Sequence, residues 1–254
     1  MILAFDTSTK ALSVAIGHRD GRLVDAVVVD TGAYMHAERL LPTIDALLRT
    51  NQTDRQTLTA VAFAAGPGSY TGLRIGASTA KAIAHAAGIP ILPVDTCEAL
   101  AAGAVRRGEA TSGTRVYAVI DARRMEVFTA AFEVLPDGGL QRLGATQAAV
   151  LEGDGAVSAV EAFPGCADGP GCWAGDGAPK LAELLAAPDR MFVEAAPEAQ
   201  DVLAIGARLW GAGEVGDLAY CEPAYLKEFA AAMPKNPLGL GRLSRDRMPE
   251  NLRG

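Results

Sequence analysis

Histidine is scarce in this chain: there are three, His18, His36 and His85, far apart and in no metal-ligand spacing. A zinc hydrolase of the H-E-x-x-H kind therefore has no basis here. The four cysteines, Cys97, Cys166, Cys172 and Cys221, include no C-x-x-C pair. In a chain with a core this large they are expected to be reduced and cytosolic. Cys97 stands at a strand-to-helix junction, where a helix N-terminus could lower its pKa, but a buried inert thiol is the simpler expectation. No G-x-S-x-G elbow occurs, which leaves Ser69 and Ser78 without a nucleophile's setting. No stretch is long and uncharged enough to span a bilayer; the best candidate, 75–94, contains Lys81 and His85. The opening MILAFDTSTK places Asp6 where a signal peptide would need its apolar region, so a cytoplasmic protein is expected.

A basic surface is also missing. The net charge is -7, which argues against a dedicated nucleic-acid clamp. The end of the chain differs: Lys227 to Gly254 holds six Lys or Arg against three Asp or Glu. What the chain does have is a globular balance, 50% hydrophobic and 21% charged, enough to bury a sizeable core in one large or two compact domains.

Residues 2–5 and 12–16 read as strands joined by a polar turn, Asp6-Thr7-Ser8-Thr9-Lys10-Ala11, and 23–29 as a third strand. A helix within 36–48 sets Leu40, Leu41, Ile44, Leu47 and Leu48 on one face; Pro42 must start it or bend it. The strand 61–65, a glycine loop, a helix over about 71–87, a strand over 89–94 and a helix over 96–106 follow. The pattern then restarts. An apolar strand, 116–121, ends in Asp121, and an alternating strand, 125–134, comes after Ala122-Arg123-Arg124. Asp121 on Asp6 superposes the two hairpins in pattern, which points to two similar α/β halves. Residues 164–179 read as loops around Trp173, with helices over 178–187 and 198–212, and the last 20 or so residues as poorly ordered alone.

The loop GPGSYTGLRIG, residues 66–76, is not a familiar phosphate cradle. Five residues, not four, separate Gly66 from Gly72, and Leu73 stands where a P-loop has lysine. The dinucleotide fingerprint needs glycine at 71, which is Thr. Backbone N–H groups at the start of the 71–87 helix, with Arg74, could still hold an anion. A different feature accounts for the glycines. Gly72, Gly76, Ala80, Ala84 and Gly88 recur every four residues and make one helix face slim. Glycine inside a helix costs about 1 kcal/mol relative to alanine, so Gly76 needs a packing reason. The helix lies either against its own sheet or against another subunit, and spacing leaves both open. Asp6 with Thr7 and Ser8, and Asp121 opposite, could hold metal-bridged phosphates; Asp6 could equally cap its own turn.

The segments ILAFDTSTKALSVAI, HAERLLPTIDALL, GPGSYTGLRIGASTAKAIA, GIPILPVDTCEALA, YAVIDARRMEVFTAAF and WAGDGAP resemble, in order, the TsaB family, formerly called YeaZ. The resemblance implies a duplicated actin-like, ribonuclease-H-like fold with lobes at 1–105 and 106–226 and a flexible basic tail at 227–254. It implies a non-catalytic subunit in making N6-threonylcarbamoyladenosine at tRNA position 37. Such a subunit pairs with the metal-bearing transferase TsaD, helps recruit the ATPase TsaE, forms homodimers when alone, meets tRNA indirectly and has no membrane role. The transferase's His-x-x-x-His motif is replaced here by Thr96 and Leu100, so no catalytic residue and no metal are expected. No cofactor of its own is expected either; any ATP or ADP would belong to the assembled complex.

The family's contact surface lies on its first two helices. That tips the slim face toward a subunit interface, made of His36, Leu40, Leu41, Ile44, Leu47, Leu48, Tyr70, Gly72, Leu73, Gly76, Ala80 and Ala84. The rival functions are a standalone kinase or ATPase of the same fold using Asp6, Thr7, Ser8 and Asp121, and, with less support, a peptidase.

Overall fold

The computed structural model describes residues 1–30, 35–152, 159–165 and 170–226. The tail beyond 226 and Cys166 lie outside the described residues.

Three strands open the chain: β1 (Ile2–Asp6), β2 (Leu12–Gly17) and β3 (Leu23–Val29). After α1 (His36–Thr50) come β4 (Ala60–Ala64), α2 (Tyr70–Ala87), β5 (Ile91–Val94) and α3 (Thr96–Arg106). They form a five-stranded sheet in the order β3-β2-β1-β4-β5. β1 and β2 pair antiparallel, whereas β4 and β5 run parallel to β1.

The second sheet repeats this plan. Its strands are β6 (Arg115–Asp121), β7 (Glu126–Val134), β8 (Leu140–Arg142), β9 (Gln147–Val150), β10 (Gly171–Ala174) and β11 (Arg190–Val193). The order is β11-β10-β6-β7-β8, with β9 also on β7; β6 and β7 are antiparallel, and β10 and β11 run parallel to β6. Among the described residues of this half of the chain there are three helices: the single turn α4 (Ala159–Ala162), then α5 (Pro179–Leu185) and α6 (Ala199–Ala212). β10 with β11 answers β4 with β5, and Asp6 and Asp121 each end the first strand of a hairpin. The duplication expected from the hairpin pattern is present, and the architecture is the duplicated actin-like, ribonuclease-H-like one.

The layers follow from strand alternation. Leu3 and Phe5 face α1 and α2, while Ile2 and Ala4 face Val202 and Leu203 of α6. On the second sheet, Val116, Ala118 and Ile120 face Cys97, Leu100 and Ala104 of α3, and Tyr117 and Val119 face Trp173 and Leu181. The helices between the sheets thus cross over: α3 precedes the second sheet yet covers it, and α6 follows it yet covers the first. They are tied by the Arg106 guanidinium, which donates to both carboxylate oxygens of the buried Asp201 at 2.8 and 3.1 Å.

One expectation is corrected and one pair of alternatives is narrowed. Residues 171–174 are not loop: β10 is a fully buried strand, and Trp173 stacks between Tyr117 and Phe192 at 4.6 and 5.2 Å. A four-residue strand flanked by Gly and Pro carries too little periodicity to distinguish it from a turn. Pro42 neither starts nor ends α1, but lies inside it.

Candidate partner surface and inter-sheet cleft

α2 begins where the glycine loop stops. The Ser69 hydroxyl accepts from the Gly72 N–H at 3.3 Å and caps the helix, and Gly88, at φ 63°, ends it in the left-handed conformation. Between these points the slim face presses on the chain's own β1–β2 turn. A Cβ on Gly72 would collide with the Thr7 carbonyl, and one on Gly76 with the Thr7 hydroxyl. Thr7 Oγ1 donates to the Gly72 carbonyl at 2.8 Å, and His36 Nε2 lies 2.7 Å from the Thr9 carbonyl oxygen. Before the helix, a Cβ on Gly68 would come within 2.6 Å of the Ser8 carbonyl oxygen. The glycines therefore let a loop and a helix lie directly on a polar turn.

This geometry re-sorts the twelve residues expected at a subunit interface. His36, Leu40, Ile44, Leu47, Leu48, Gly72, Leu73, Gly76, Ala80 and Ala84 are buried within this chain. The physical reason is periodicity: the apolar stripe of each helix is the face its own sheet needs. Leu41 and Tyr70 stand outside, 57% and 43% exposed. Between α1 and α2 lies a groove of about 840 Å³, lined chiefly by Leu41, Ile44, Leu48, Leu58, Ile83 and Ala87. Leu3 of β1 also lines it, with Asp45, Arg49, Arg55 and Gln56, so a largely apolar surface does open between the helices and reaches down to the sheet.

The second cluster lies at the strand ends facing the other sheet. Asp6 is fully buried, and its carboxylate accepts from Ser8 N–H and, at 2.7 Å, from Ser8 Oγ. Burial pushes its pKa up to about 7; the Ser8 hydrogen bonds oppose the shift, and nearby Asp176 adds to it. Thr7 and Ser8 are likewise buried, each spent on a contact within the chain. Asp121 is exposed and otherwise employed. One oxygen accepts from Arg123 N–H at 2.6 Å and from Lys180 Nζ, which also donates to the Arg124 carbonyl.

Sequence reading missed Asp176 and Lys180. Asp176 accepts the Asp121 N–H at 2.8 Å, and burial raises its pKa. It sits in Gly175-Asp176-Gly177, where Gly175 has φ 142° and a Cβ there would strike the Val119 carbonyl. An Asp between two glycines directly after an apolar tetrad was the available signal. Lys180 offered none, because a lysine near a helix start is ordinarily solvated.

Thr96 and Leu100, which the family resemblance sets against the transferase's histidines, make packing and backbone contacts here. Thr96 Oγ1 accepts from Gly66 N–H at 3.1 Å, and Leu100 is buried under Gly175. Cys97 is buried, and burial pushes its thiol well above the usual range, the inert outcome. Among the described residues no group of three His, Cys, Asp or Glu could hold a metal ion, and no helix is long and apolar enough to cross a membrane.

The family described as TsaD, tRNA N6-adenosine threonylcarbamoyltransferase, matches residues 28–150. The Escherichia coli (strain K12) tRNA threonylcarbamoyladenosine biosynthesis protein TsaB is 32% identical over 232 residues, 91% of this chain and 96% of that protein. The Bacillus subtilis (strain 168) protein of the same name is 36% identical over 135 residues, 52% of this chain and 55% of its own. Among solved structures, YeaZ from Pseudomonas aeruginosa superposes with a TM-score of 0.76 at 32% identity, covering 89% of this chain and 99% of its own. Near-complete coverage at this identity, on a chain with the same duplicated sheet plan, means that it belongs to the TsaB (YeaZ) family, whose curated members are named for tRNA threonylcarbamoyladenosine biosynthesis.

Proposed function

We propose that the protein is a non-catalytic partner subunit in the synthesis of tRNA N6-threonylcarbamoyladenosine at position 37. In this reading it docks on a TsaD-type transferase through the outer α1–α2 groove, holds that enzyme in its active arrangement and helps to recruit a TsaE-type ATPase. When the transferase is absent, the same groove pairs with a second copy of this chain. It binds no nucleotide by itself, any ATP or ADP being held in the assembled complex.

The observation that carries this reading is the exposed Leu41 beside a largely apolar groove that α1 and α2 leave open between them. The cleft supports it from the other side. A phosphate-bridging metal needs charged, available carboxylates. Asp6 is buried with its pKa near 7, and Asp121 is engaged by Lys180, so this set is a poor fit to Mg²⁺–ATP.

The test is size-exclusion and calorimetric titration of the purified chain against the transferase paralogue. Leu41→Glu keeps the fold, since Leu41 points outward, and places a charge in the groove. It is expected to cost about 2 kcal/mol, roughly thirtyfold in Kd. A folded Leu41→Glu variant that binds the transferase with unchanged affinity would remove the groove as the docking site.

A further inference from the structure

The chain has 30 Asp and Glu residues, yet none lies between Asp54 and Asp95. That acid-free run contains the whole of α2. At 100° per residue, Tyr70, Arg74, Lys81 and His85 share one flank of this helix, while Ile75, Ile83 and Ala86 lie on the flank toward α1. Arg74 and His85 are exposed. The cationic flank and the apolar groove are therefore two separate surfaces of the same helix.

A strap made of residues 214–226 runs along the cationic flank. Gly216 N–H donates to the Ile91 carbonyl at 2.9 Å and Ala224 N–H to the Ala65 carbonyl at 2.7 Å. Lys81 Nζ donates to the Ala219 carbonyl at 3.2 Å. A Cβ on Gly66 would come within 2.8 Å of the Ala224 carbonyl oxygen, so the glycine loop is shaped for the strap as well as for the turn. The strap carries aromatic rings outward. Tyr225 lies 5.1 Å from Tyr70, whose ring also receives the Arg74 guanidinium at 5.4 Å, and Tyr220 is 84% exposed. The carboxylates here are Glu214, Asp217 and Glu222, and Asp217 is occupied by the N–H groups of Ala219 and Tyr220. Beyond Leu226 the sequence carries six Lys or Arg against three Asp or Glu, the reverse of the rest of the chain.

Cations that follow a backbone, beside aromatic faces open to stacking, are the requirements for holding a single-stranded nucleic acid. We propose that this flank is a single-stranded nucleic-acid contact. Arg74 and Lys81 meet phosphates, and Tyr220 and Tyr225 receive unpaired bases. A duplex hides the base faces that the tyrosines would stack on, so the surface selects single strands. The net charge of -7 makes the contact weak, and the few phosphate contacts give it a modest salt dependence. The assignment does not depend on which protein occupies the α1 side.

The test is fluorescence anisotropy with full-length protein, a labelled oligoadenylate and a matched RNA duplex, over a series of salt concentrations. The single strand is expected to bind more tightly. Tyr220→Ser, at a position too exposed to matter for folding, should weaken binding about tenfold and leave the salt dependence unchanged. Arg74→Gln with Lys81→Gln should lower the salt slope by about 1.4, the value for two single-strand phosphate contacts. All these variants should retain association with the transferase paralogue. Equal binding of the duplex, an unaltered Tyr220→Ser affinity, or no binding at all overturns the assignment. So does a loss of transferase association in these variants, which would make the flank a protein contact.

Discussion

The turns that close the two hairpins, after β1 and after β6, occupy equivalent places and have opposite fates. The first, Asp6-Thr7-Ser8-Thr9, is buried under α2; Ser8 satisfies Asp6 and the helix backbone satisfies Thr7, while the Thr9 hydroxyl has no partner among the described residues. The second, Asp121-Ala122-Arg123-Arg124, is turned to solvent, with both arginines at positive φ, 68° and 55°, and is braced by Lys180. Duplication preserves strand order and register because the sheets need them. It does not preserve polar chemistry at the strand ends, because each end answers to whatever packs over it. A pair of aspartates in matching positions is therefore evidence of shared ancestry in the fold, and weak evidence of a shared site.

The contrast can be broken most forcefully at the buried turn. Gly76→Leu drives a side chain into Thr7, so it should destabilise by about 3 kcal/mol or more and lower the thermal midpoint by roughly 6–12 °C. A Gly76→Leu variant as stable as the parent in thermal melts would mean that the slim face does not rest on its own sheet.

Next in size is the pH response. Asp6 has a folded pKa of about 7 against an ordinary 3.8, so the folded state holds its proton longer than the unfolded chain does. This contribution is fully present below the unfolded value and is lost as pH rises through 7. Between those limits stability falls by up to about 1.4 kcal/mol per pH unit. Asp6→Asn should flatten urea-denaturation stability between pH 4 and pH 7 (about the span of the shift), whereas Asp121→Asn should leave its slope intact. Equal slopes in Asp6→Asn and the parent would show that the first turn is wetter than its burial implies.

The smallest effect belongs to the exposed turn. Arg124→Gly relieves a left-handed residue and should stabilise by about 1 kcal/mol, read as a higher urea midpoint at constant m-value. A destabilised variant would mean that the arginine side chain contributes more than its backbone conformation costs.

Much of this was legible before any coordinates. The helix expected over 96–106 spans Thr96–Arg106, and the one expected over 198–212 spans Ala199–Ala212, because both carry long apolar stripes and capping or charged ends. The matching hairpins were visible as apolar strand, Asp, polar turn and strand. β8, β9 and β11 escaped notice at three or four residues each, too short for alternation to register. The stripe Gly72, Gly76, Ala80, Ala84 marks a close approach whose neighbour the spacing leaves open; the structure gives it to this chain's own turn rather than to the second subunit that the resemblance favours. Spacing measures how near another backbone comes and says nothing about which backbone it is. At Leu41 and Tyr70 the same reading pointed to residues that do stand outside, with Leu41 beside the groove that α1 and α2 leave open.

The amino-acid order by itself determined the local chemistry: where chains turn, which faces are apolar, and that Ser69 caps α2. Only the tertiary structure decided who meets whom. It set Gly72 and Gly76 on Thr7, gave Lys180 to Asp121, crossed α3 and α6 between the sheets, and laid Tyr225 against Tyr70. These contacts join residues tens to hundreds of positions apart. Local propensity acts over a few residues, so only chain packing, with its exclusion of water and overlap, could choose among partners that look alike in sequence.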